Sequence, residues 1–458
     1  MTPDFLIEAP TGETGGAQRA AWRGEPPFEA VGQDVRITRQ AAGAQTLVAV
    51  VGLGPAAAAS AVALRDAGFR IVAIETSASR LGDLRGGWLR GHLGGEGLVL
   101  SDRIEALQAA DVVLICPPAA TDAQGRPNTD ALRRACASVV EQARAGQTLL
   151  LTSTTHVGGT RELLVEPLAA RGLRAGEEIF VAFSAERFDP GVPEHEQLRT
   201  PRVLGGVSEK CAARAAELLR HLAHGVHRVS SCEAAEMAKL YESTFRAVNI
   251  ALAFEMADAC RARALDPIEV TEAAATKPFG FMAHYPSAGV GGTGARLEPH
   301  HLLRALRERG VPATIAEEAM RTVAARPRRV AMRAHELLQR SGRQLRDVRV
   351  LVVGVAYKPG VGDARGAPAV EIISRLMADG VQVDYHDPLV PALQIDGEPL
   401  HGVDPDPRRD ASGFGPEDYE LAIVLTMHPG HDYGWLRRCP QVLDCTYRAQ
   451  IGSRRFLP

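Results

Sequence analysis

The chain has 458 residues, of which 45% are apolar and 23% are charged. This length exceeds one compact core, so we expect two or three domains of ordinary size. The formal charge of -3 leaves no basic surplus for binding phosphate backbones, which argues against a nucleic-acid partner.

The N-terminal segment and the cysteine pattern bear on the compartment. Residues 1–45 show no helical or strand periodicity, and we expect a flexible leader without chemistry there. The seven cysteines show no C-x-x-C pair, no zinc-ligand spacing and no dense disulfide framework. No apolar run is long enough to span a bilayer. We therefore expect a cytoplasmic protein with no metal site and no membrane partner.

Short apolar runs alternate with helical patterns from residue 46 onward. The runs at 47–51, 69–74, 112–115, 148–151 and 179–183 predict strands, and a helical segment is predicted over 130–145. Such alternation is typical of a parallel, doubly wound sheet. We assign this sheet to a domain spanning 46–228.

The middle of the chain is predicted to be helical. Residues 231–265 contain no Pro or Gly and favour one long helix, whereas 277–294 is rich in both and is predicted to be irregular. Helical patterns continue to about 339. We assign 229–340 to a central helical domain, and we expect a homodimer because a long helix between domains commonly carries a subunit contact.

A second strand-and-helix series begins at 348–354 and continues with apolar runs at 381–385 and 421–425. These runs define a C-terminal domain over 341–458. The predicted fold class is therefore α/β, with two Rossmann-like doubly wound domains joined by a central long helix and helical domain.

The turn after the first predicted strand matches G-x-G-x-x-[G/A] and opens a helix. Gly52 permits the tight turn, Gly54 lets the backbone approach a pyrophosphate, and Ala57 allows close helix-strand packing. Glu75, at the end of the next strand, would accept hydrogen bonds from a ribose and repel a 2′-phosphate. An ordinary glycine-rich turn is the alternative, but strand, helix and acidic residue agree. We therefore expect NAD as cofactor, bound by Gly52, Leu53, Gly54, Ala57, Glu75, Arg80, Pro117 and Thr154.

Several segments, taken in order, resemble motifs of the UDP-glucose and UDP-N-acetylmannosamine dehydrogenase family. One of them, 183–191, resembles the family's P-E-R-x-x-P-G segment with Ala185 in place of proline, and favours the N-acetylhexosamine branch. The other matching segments are 152–160, 236–240, 245–251, 289–292 and 356–365. The resemblance implies oxidation of a sugar CH2OH to a carboxylate by two hydride transfers to NAD, through an enzyme thiohemiacetal and thioester.

The resemblance also implies catalytic roles. Lys239 matches a lysine that stabilises oxyanionic intermediates, Glu186 a carboxylate linked to water activation, and Thr154 a threonine that positions water. Read without the resemblance, Lys239 is a solvated helix lysine and Thr154 a turn residue. Ser243 and Glu298 stand where the family has an asparagine and an aspartate, and they complete the expected catalytic set.

The main departure from the family lies in its glycine loop. The family motif G-G-x-C corresponds here to Gly291-Gly292-Thr293-Gly294, so the resemblance implies that the nucleophilic thiol is absent. Cys116, at the end of a strand, is the least implausible substitute, although most isolated cysteines are small core residues.

By the same resemblance, a nucleotide sugar is expected to contact a larger set of residues, partly on the central helix and partly in the C-terminal domain. The expected substrate contacts are Arg187, Phe188, Lys239, Arg246, Asn249, Gly291, Gly292, Lys358 and Arg365.

Four functions remain open on the sequence. The leading one is NAD-dependent oxidation of a UDP-sugar at C6 that transfers two electrons and stops at the aldehyde. The alternatives are C5 epimerisation through a transient aldehyde, a catalytically silent nucleotide-sugar-binding homologue, and four-electron oxidation through the aldehyde hydrate with Glu186 as base.

Overall fold

The structure is a computed structural model, and its described residues form three connected parts. The described residues are 46–86, 97–117, 120–121, 127–187, 189, 191, 199–340, 342–405, 414–449 and 455–458. The expected leader at 1–45 and the expected substrate residue Phe188 lie outside them.

The N-terminal part contains an eight-stranded sheet whose strand order is β10-β9-β8-β7-β4-β1-β2-β3, together with a two-stranded sheet β5-β6. The strands are β1 (Leu47–Val51), β2 (Arg70–Ile74), β3 (Leu98–Ser101), β4 (Val112–Ile115), β5 (Ala120–Thr121), β6 (Pro127–Asn128), β7 (Thr148–Leu151), β8 (Phe180–Phe183), β9 (Arg202–Gly206) and β10 (Val226–Val229). The helices are α1 (Pro55–Asp66), α2 (Ala78–Gly86), α3 (Asp130–Gln142), α4 (Glu166–Ala170) and α5 (Glu209–Leu219).

Strand order reverses between β1 and β4, which is the usual dinucleotide crevice of a doubly wound sheet. Successive residues of β1 enter different cores: Val48 and Val50 belong to one apolar cluster, Ala49 and Val51 to another. Both faces of the sheet are therefore covered, as near-continuous apolar runs predict.

One pair of strands departs from the expected parallel arrangement. Strand β9 runs antiparallel to β8, with Phe183 opposite Gly205. This direction brings the first residue of β9, Arg202, beside Ser184 and Glu186. The expectation of a parallel sheet was wrong at this pair because β9 ends in two glycines and carries no apolar run that reveals its direction.

The central part contains the helices α6 (Cys232–Ala262), α7 (Pro267–Ala275), α8 (Gly294–Glu308) and α9 (Thr314–Gln339). The long helix α6 begins where the Ser231 side chain accepts a hydrogen bond from the Ala234 N–H. Ala251 and Phe254 of α6 pack against Ala319 and Val323 of α9. Helix α6 thus packs its second half against α9 through apolar side chains.

The C-terminal part contains a five-stranded parallel sheet of order β12-β11-β15-β16-β17 and a hairpin β13-β14. Its elements are β11 (Arg349–Val353), α10 (Pro368–Ala378), β12 (Gln382–His386), β13 (Ala392–Ile395), β14 (Glu398–His401), β15 (Leu421–Val424), β16 (Val442–Asp444) and β17 (Arg455–Phe456). Strand order reverses between β11 and β15. The predicted fold class is confirmed, and no helix in the described part of the chain has the length and apolarity needed to cross a membrane.

Candidate active site

The predicted dinucleotide loop has the geometry that a glycine at its first position requires. Gly52 has a φ of +84°, and a Cβ added there would lie 2.7 Å from the Pro117 Cα. A residue with a side chain would be strained by its backbone and would also collide with the end of β4. Gly52 thus keeps the crevice between β1 and β4 open.

Glu75 is held at the same crevice. Its carboxylate accepts hydrogen bonds from the Leu53 N–H at 3.3 Å and the Ser77 N–H at 3.1 Å, and the Nε of Arg80 lies 3.4 Å away. Arg80 also donates to the Leu53 carbonyl at 2.8 Å. The carboxylate is therefore fixed at the end of β2, where an adenosine ribose would need an acceptor.

The N-terminus of α1 suits an anion. Gly54 caps this helix without a side-chain hydrogen bond, Pro55 occupies its first turn, and no acidic residue lies there. The free N–H groups and the positive end of the helix dipole are therefore available to a pyrophosphate. Ala57 is buried and allows the helix to approach the sheet. These residues fit NAD.

Four predicted catalytic residues meet in one cluster, which joins α6, α8 and the segment after β7. Lys239 and Ser243 lie one turn apart on α6, and the Lys239 Nζ is 3.2 Å from the Glu298 Oε2. The Ser243 hydroxyl donates to the same oxygen. Thr154 donates to the other oxygen, Oε1, at 2.9 Å. The Glu298 carboxylate thus contacts all three of the other residues of the cluster.

Electrostatics keep this carboxyl ionised. Burial alone would raise the pKa of Glu298, but the Lys239 charge and the hydrogen bonds from Ser243 and Thr154 outweigh it and hold the pKa below the ordinary value. The cluster therefore contains a buried carboxylate facing a lysine amine.

Gly294 is the first residue of α8, beside this cluster. A Cβ built on Gly294 would find its nearest neighbour, the Arg246 Nη2, at 3.9 Å, which is ordinary contact. The backbone thus has room for a side chain at this position, but the sequence supplies none.

Cysteines elsewhere in the chain are poor substitutes. All seven are buried. Burial, helped by the Glu186 charge, raises the pKa of the Cys116 thiol to about 12, and its sulfur lies 2.6 Å from the Thr152 hydroxyl. Cys116 is therefore a protonated thiol at neutral pH, not a nucleophile.

Glu186 belongs to a separate network. Its Oε2 lies 2.5 Å from the Nη1 of Arg202, whose side chain is 1% exposed and also donates to the Ser184 carbonyl. The other oxygen, Oε1, is buried and has no hydrogen-bond partner among the described residues. Arg202 was not predicted as a site residue; its position just before the apolar pair Val203-Leu204 is a weak sequence signal for it.

Some of the expected substrate-binding residues on α6 and after β8 form hydrogen bonds with other residues of the protein. Arg187 donates to Glu242 at 2.8 Å and to the Pro201 carbonyl at 2.8 Å. Asn249 donates to the Phe245 carbonyl of its own helix at 2.8 Å. The exposed Arg246 reaches toward Gly294. Arg246 therefore lies beside the first turn of α8, and Arg187 lines a small cavity together with Lys239.

The remaining substrate residues lie where the C-terminal part meets the rest. Lys358 forms an ion pair with Asp189, and Arg365 pairs with Asp363 at 2.6 Å. Side chains at Gly291 and Gly292 would press against the Tyr357 ring and its Cβ. These two glycines therefore allow the segment before α8 to pack closely on Tyr357, which follows β11.

A cavity of about 310 Å³ lies at the carboxyl ends of β11 and β15, where the strand order reverses. Its walls come from the 286–289 loop on one side and from Tyr357, Thr446 and Arg448 on the other. The Arg448 guanidinium lies 4.6 Å from the Tyr285 ring centre. Sequence reasoning missed Thr446 and Arg448, because nothing in the local pattern links them to the distant 286–289 loop.

Comparison with known proteins gives three matches to models of one family. The NAD binding domain of the UDP-glucose/GDP-mannose dehydrogenase family matches 46–223, its central domain 233–323 and its UDP binding domain 351–444. The predicted family resemblance and the predicted cofactor, NAD, are confirmed.

Individual relatives agree. A UDP-N-acetyl-D-mannosamine dehydrogenase of Pyrococcus horikoshii is 30% identical over 356 residues, which cover 75% of this chain and 84% of the relative. A UDP-N-acetyl-D-glucosamine 6-dehydrogenase of Pseudomonas aeruginosa is 29% identical over 310 residues, covering 66% and 73%. The solved structure of a UDP-D-ManNAc dehydrogenase from Pyrococcus horikoshii has a TM-score of 0.78 at 26% identity and covers 90% of this chain and 99% of that one. This chain belongs to the UDP-glucose/GDP-mannose dehydrogenase family.

Proposed function

We propose that this chain uses NAD to oxidise the C6 alcohol of a UDP-sugar and stops at the aldehyde. The observation that carries the proposal is the cluster of Lys239, Ser243, Thr154 and Glu298, which stands beside Gly294 and contains no thiol. The cluster supplies charge for the first oxidation and no nucleophile for covalent capture.

Lys239 would stabilise the oxygen of the reacting alcohol. When bound, NAD would accept the hydride from C6, the hydroxyl proton would pass to solvent, and a C6 carbonyl would remain. A positive charge facing the oxygen lowers the energy of its alkoxide-like state, and it acts strongly because the Lys239 side chain is only 11% exposed. Glu298 holds the lysine in place and balances its charge, and the hydroxyls of Ser243 and Thr154 hold Glu298 by donating to its two oxygens.

The missing thiol limits the reaction to two electrons. In the thioester route a cysteine adds to the aldehyde and holds it for a second hydride transfer. Gly294 offers no such group, and the seven buried cysteines do not replace it. The aldehyde would therefore leave the site, free or hydrated.

The UDP part of the substrate would occupy the cavity at the end of β11 and β15. Arg448 lines this cavity, and Lys358 lies on the loop whose neighbours Tyr357 and Pro359 also line it. Guanidinium groups bind phosphate oxygens in a bidentate manner. The N-acetylhexosamine relatives favour a UDP-N-acetylhexosamine as the sugar.

The test is to incubate the protein with NAD and UDP-N-acetylglucosamine, UDP-N-acetylmannosamine or UDP-glucose, and to identify products by mass spectrometry after trapping aldehydes with a hydroxylamine. An oxime of the C6 aldehyde supports the proposal. Carboxylate as the sole product would overturn its two-electron part, and binding without any NADH would indicate a silent homologue.

A second candidate is four-electron oxidation through the aldehyde hydrate. The buried Glu186 oxygen without a hydrogen-bond partner among the described residues favours it, since such an acceptor could take a proton from the hydrate. Carboxylate formation that disappears in Glu186→Gln while aldehyde formation remains would establish this route.

We further propose that the protein is a cytoplasmic homodimer. Large apolar side chains are exposed along α6 at spacings of four or seven residues, which places them along one stripe: Met237, Tyr241, Phe245, Leu252 and Met256. The seven unpaired cysteines suit a reducing compartment. Light scattering should give twice the chain mass of 48.9 kDa, and Tyr241→Glu should lower it to the monomer value. A monomeric wild type would contradict the dimer.

A further inference from the structure

Arg326 is a buried arginine that the proposed reaction does not use. It lies in α9, and its side chain is 1% exposed. Its three nitrogens reach three different parts of the chain: Nη1 lies 3.2 Å from Asp258 on α6, Nε donates to the Ser287 carbonyl at 3.1 Å, and Nη2 donates to the Tyr447 hydroxyl at 2.6 Å. One guanidinium thus connects the central helices, the 286–289 loop and the C-terminal sheet.

The three partners of Arg326 have different roles: one balances its charge, and the other two are held in position by it. Burying an unpaired guanidinium is costly, and Asp258 supplies the opposite charge. The Arg326 guanidinium also lies 4.9 Å from the Phe254 ring centre, which adds a cation–π contact. The two neutral acceptors, Ser287 and Tyr447, contribute hydrogen bonds whose geometry fixes two chain segments relative to α9.

Both of these segments form walls of the cavity assigned above to UDP. Ser287 itself lines the cavity. Tyr447 lies between Thr446 and Arg448, which line the facing wall. Its side chain turns away into the interior, where it is 3% exposed. Arg326 is therefore bonded to opposite walls of one cavity.

The backbone of Tyr447 has an unfavourable conformation that contacts with other residues must stabilise. Its φ is +61°, a left-handed conformation that bulky residues rarely adopt and that costs free energy. Asp444 supports the turn by accepting hydrogen bonds from the Thr446 and Ala449 N–H groups. The bond from Arg326 holds the Tyr447 ring, which keeps its two neighbours pointed at the cavity.

We infer that Arg326 is a positioning residue for nucleotide binding, which sets the separation and orientation of the two cavity walls by holding Ser287 and Tyr447. The inference rests on the proposed assignment of UDP to this cavity. It gives Arg448 a fixed approach to the diphosphate without Arg326 itself contacting the ligand.

The chain offers a matched control in Arg329. This residue lies one turn further along α9 and pairs with the second oxygen of Asp258 at 3.0 Å, but its side chain is 52% exposed. Within the described residues, no hydrogen bond from Arg329 to Ser287 or Tyr447 is present. Arg329→Met therefore removes an arginine–Asp258 pair and leaves the cavity walls held.

The experiment measures UDP binding to the NAD-free protein by calorimetry, with steady-state kinetics on the nucleotide sugar beside it. Arg326→Met should weaken UDP binding about tenfold or more, as expected for the loss of charged hydrogen bonds. The KM for the nucleotide sugar should rise with it, whereas kcat and the KM for NAD should stay near wild type. Tyr447→Phe should weaken UDP binding about threefold to tenfold, and Arg329→Met less than about twofold.

The outcomes separate this inference from the proposed function. If Arg326→Met and Tyr447→Phe both bind UDP with the affinity of the wild type, the inference is overturned and the proposed function is not. Equal losses in Arg326→Met and Arg329→Met would also overturn it, because they would assign the effect to Asp258. A wild type that binds no UDP would overturn the cavity assignment, and this inference with it. Should Arg326→Met fail to fold by circular dichroism, Tyr447→Phe decides.

Discussion

The amine of Lys239 lies 3.2 Å from a carboxylate oxygen of Glu298, and the two side chains are 11% and 12% exposed. Glu298 reaches this position from α8 and Lys239 from α6, so the contact joins two helices. Because both side chains are little exposed, solvent screens the attraction between them only weakly.

Replacing Lys239 should remove most of the catalytic activity, and it should also lower stability because Glu298 loses its buried partner. Lys239→Met deletes the charge that we propose stabilises the reacting oxygen, and kcat should then fall about a hundredfold or more. NADH absorbance measures the rate. Lys210→Met, which alters an exposed lysine on α5, is the control. Equal turnover in the two variants would contradict the role of Lys239.

Glu298→Gln should destabilise the protein in a pH-dependent manner. Losing one partner of a buried ion pair costs about 3 kcal/mol of unfolding free energy at neutral pH. The folded-state pKa of Glu298 is lowered, so its carboxylate stabilises the fold above the unfolded pKa, and this contribution disappears as pH falls through the folded pKa.

Urea unfolding of wild type and Glu298→Gln at about pH 7 and about pH 4 measures this difference. The gap between the two proteins should be largest at neutral pH and should shrink under acid. A gap that grows on acidification would show that Glu298 is not a stabilised carboxylate.

Gly52→Ala should weaken NAD binding. The added methyl group would meet Pro117 at 2.7 Å in a left-handed backbone, so the loop must shift away from the pyrophosphate position. An increase of about tenfold in the NAD dissociation constant is expected. Gly68→Ala is the control, since φ there is +94° but no atom lies within 4 Å. It introduces similar backbone strain without obstructing the crevice, and calorimetry should show unchanged NAD binding.

Gly294→Cys should give the site a thiol. A Cβ at this position meets no close neighbour, so the protein should fold with little change in stability. A thiolate near the C6 aldehyde could hold it for a second oxidation, and carboxylate should then appear among the products. Gly294→Ser, with a weaker nucleophile of similar size, should make less carboxylate. Identical product mixtures from Gly294→Cys and wild type would show that position 294 does not face the aldehyde.

Local parts of the site could be predicted from the sequence. Gly52, Ala57 and Glu75 lie within one strand-helix-strand unit, where spacing alone fixes their relation. Lys239 and Ser243 share a helix face because they are four residues apart.

Other parts depend on contacts between distant segments. Thr154 and Glu298 are 144 residues apart in sequence, and only the family resemblance suggested that they share a site. Arg202 reaches Glu186 because β9 runs antiparallel, and Arg326 reaches Tyr447 across the central helices. No periodicity or motif encodes these pairings, since each depends on how whole elements pack.

Counting the NADH formed per UDP-N-acetylhexosamine consumed, with the sugar limiting and the aldehyde trapped as it forms, measures whether oxidation stops at the aldehyde. One NADH per sugar, with no carboxylate, is the result predicted for a site that lacks a thiol. Two NADH per sugar and complete conversion to carboxylate would contradict a reaction that stops at the aldehyde.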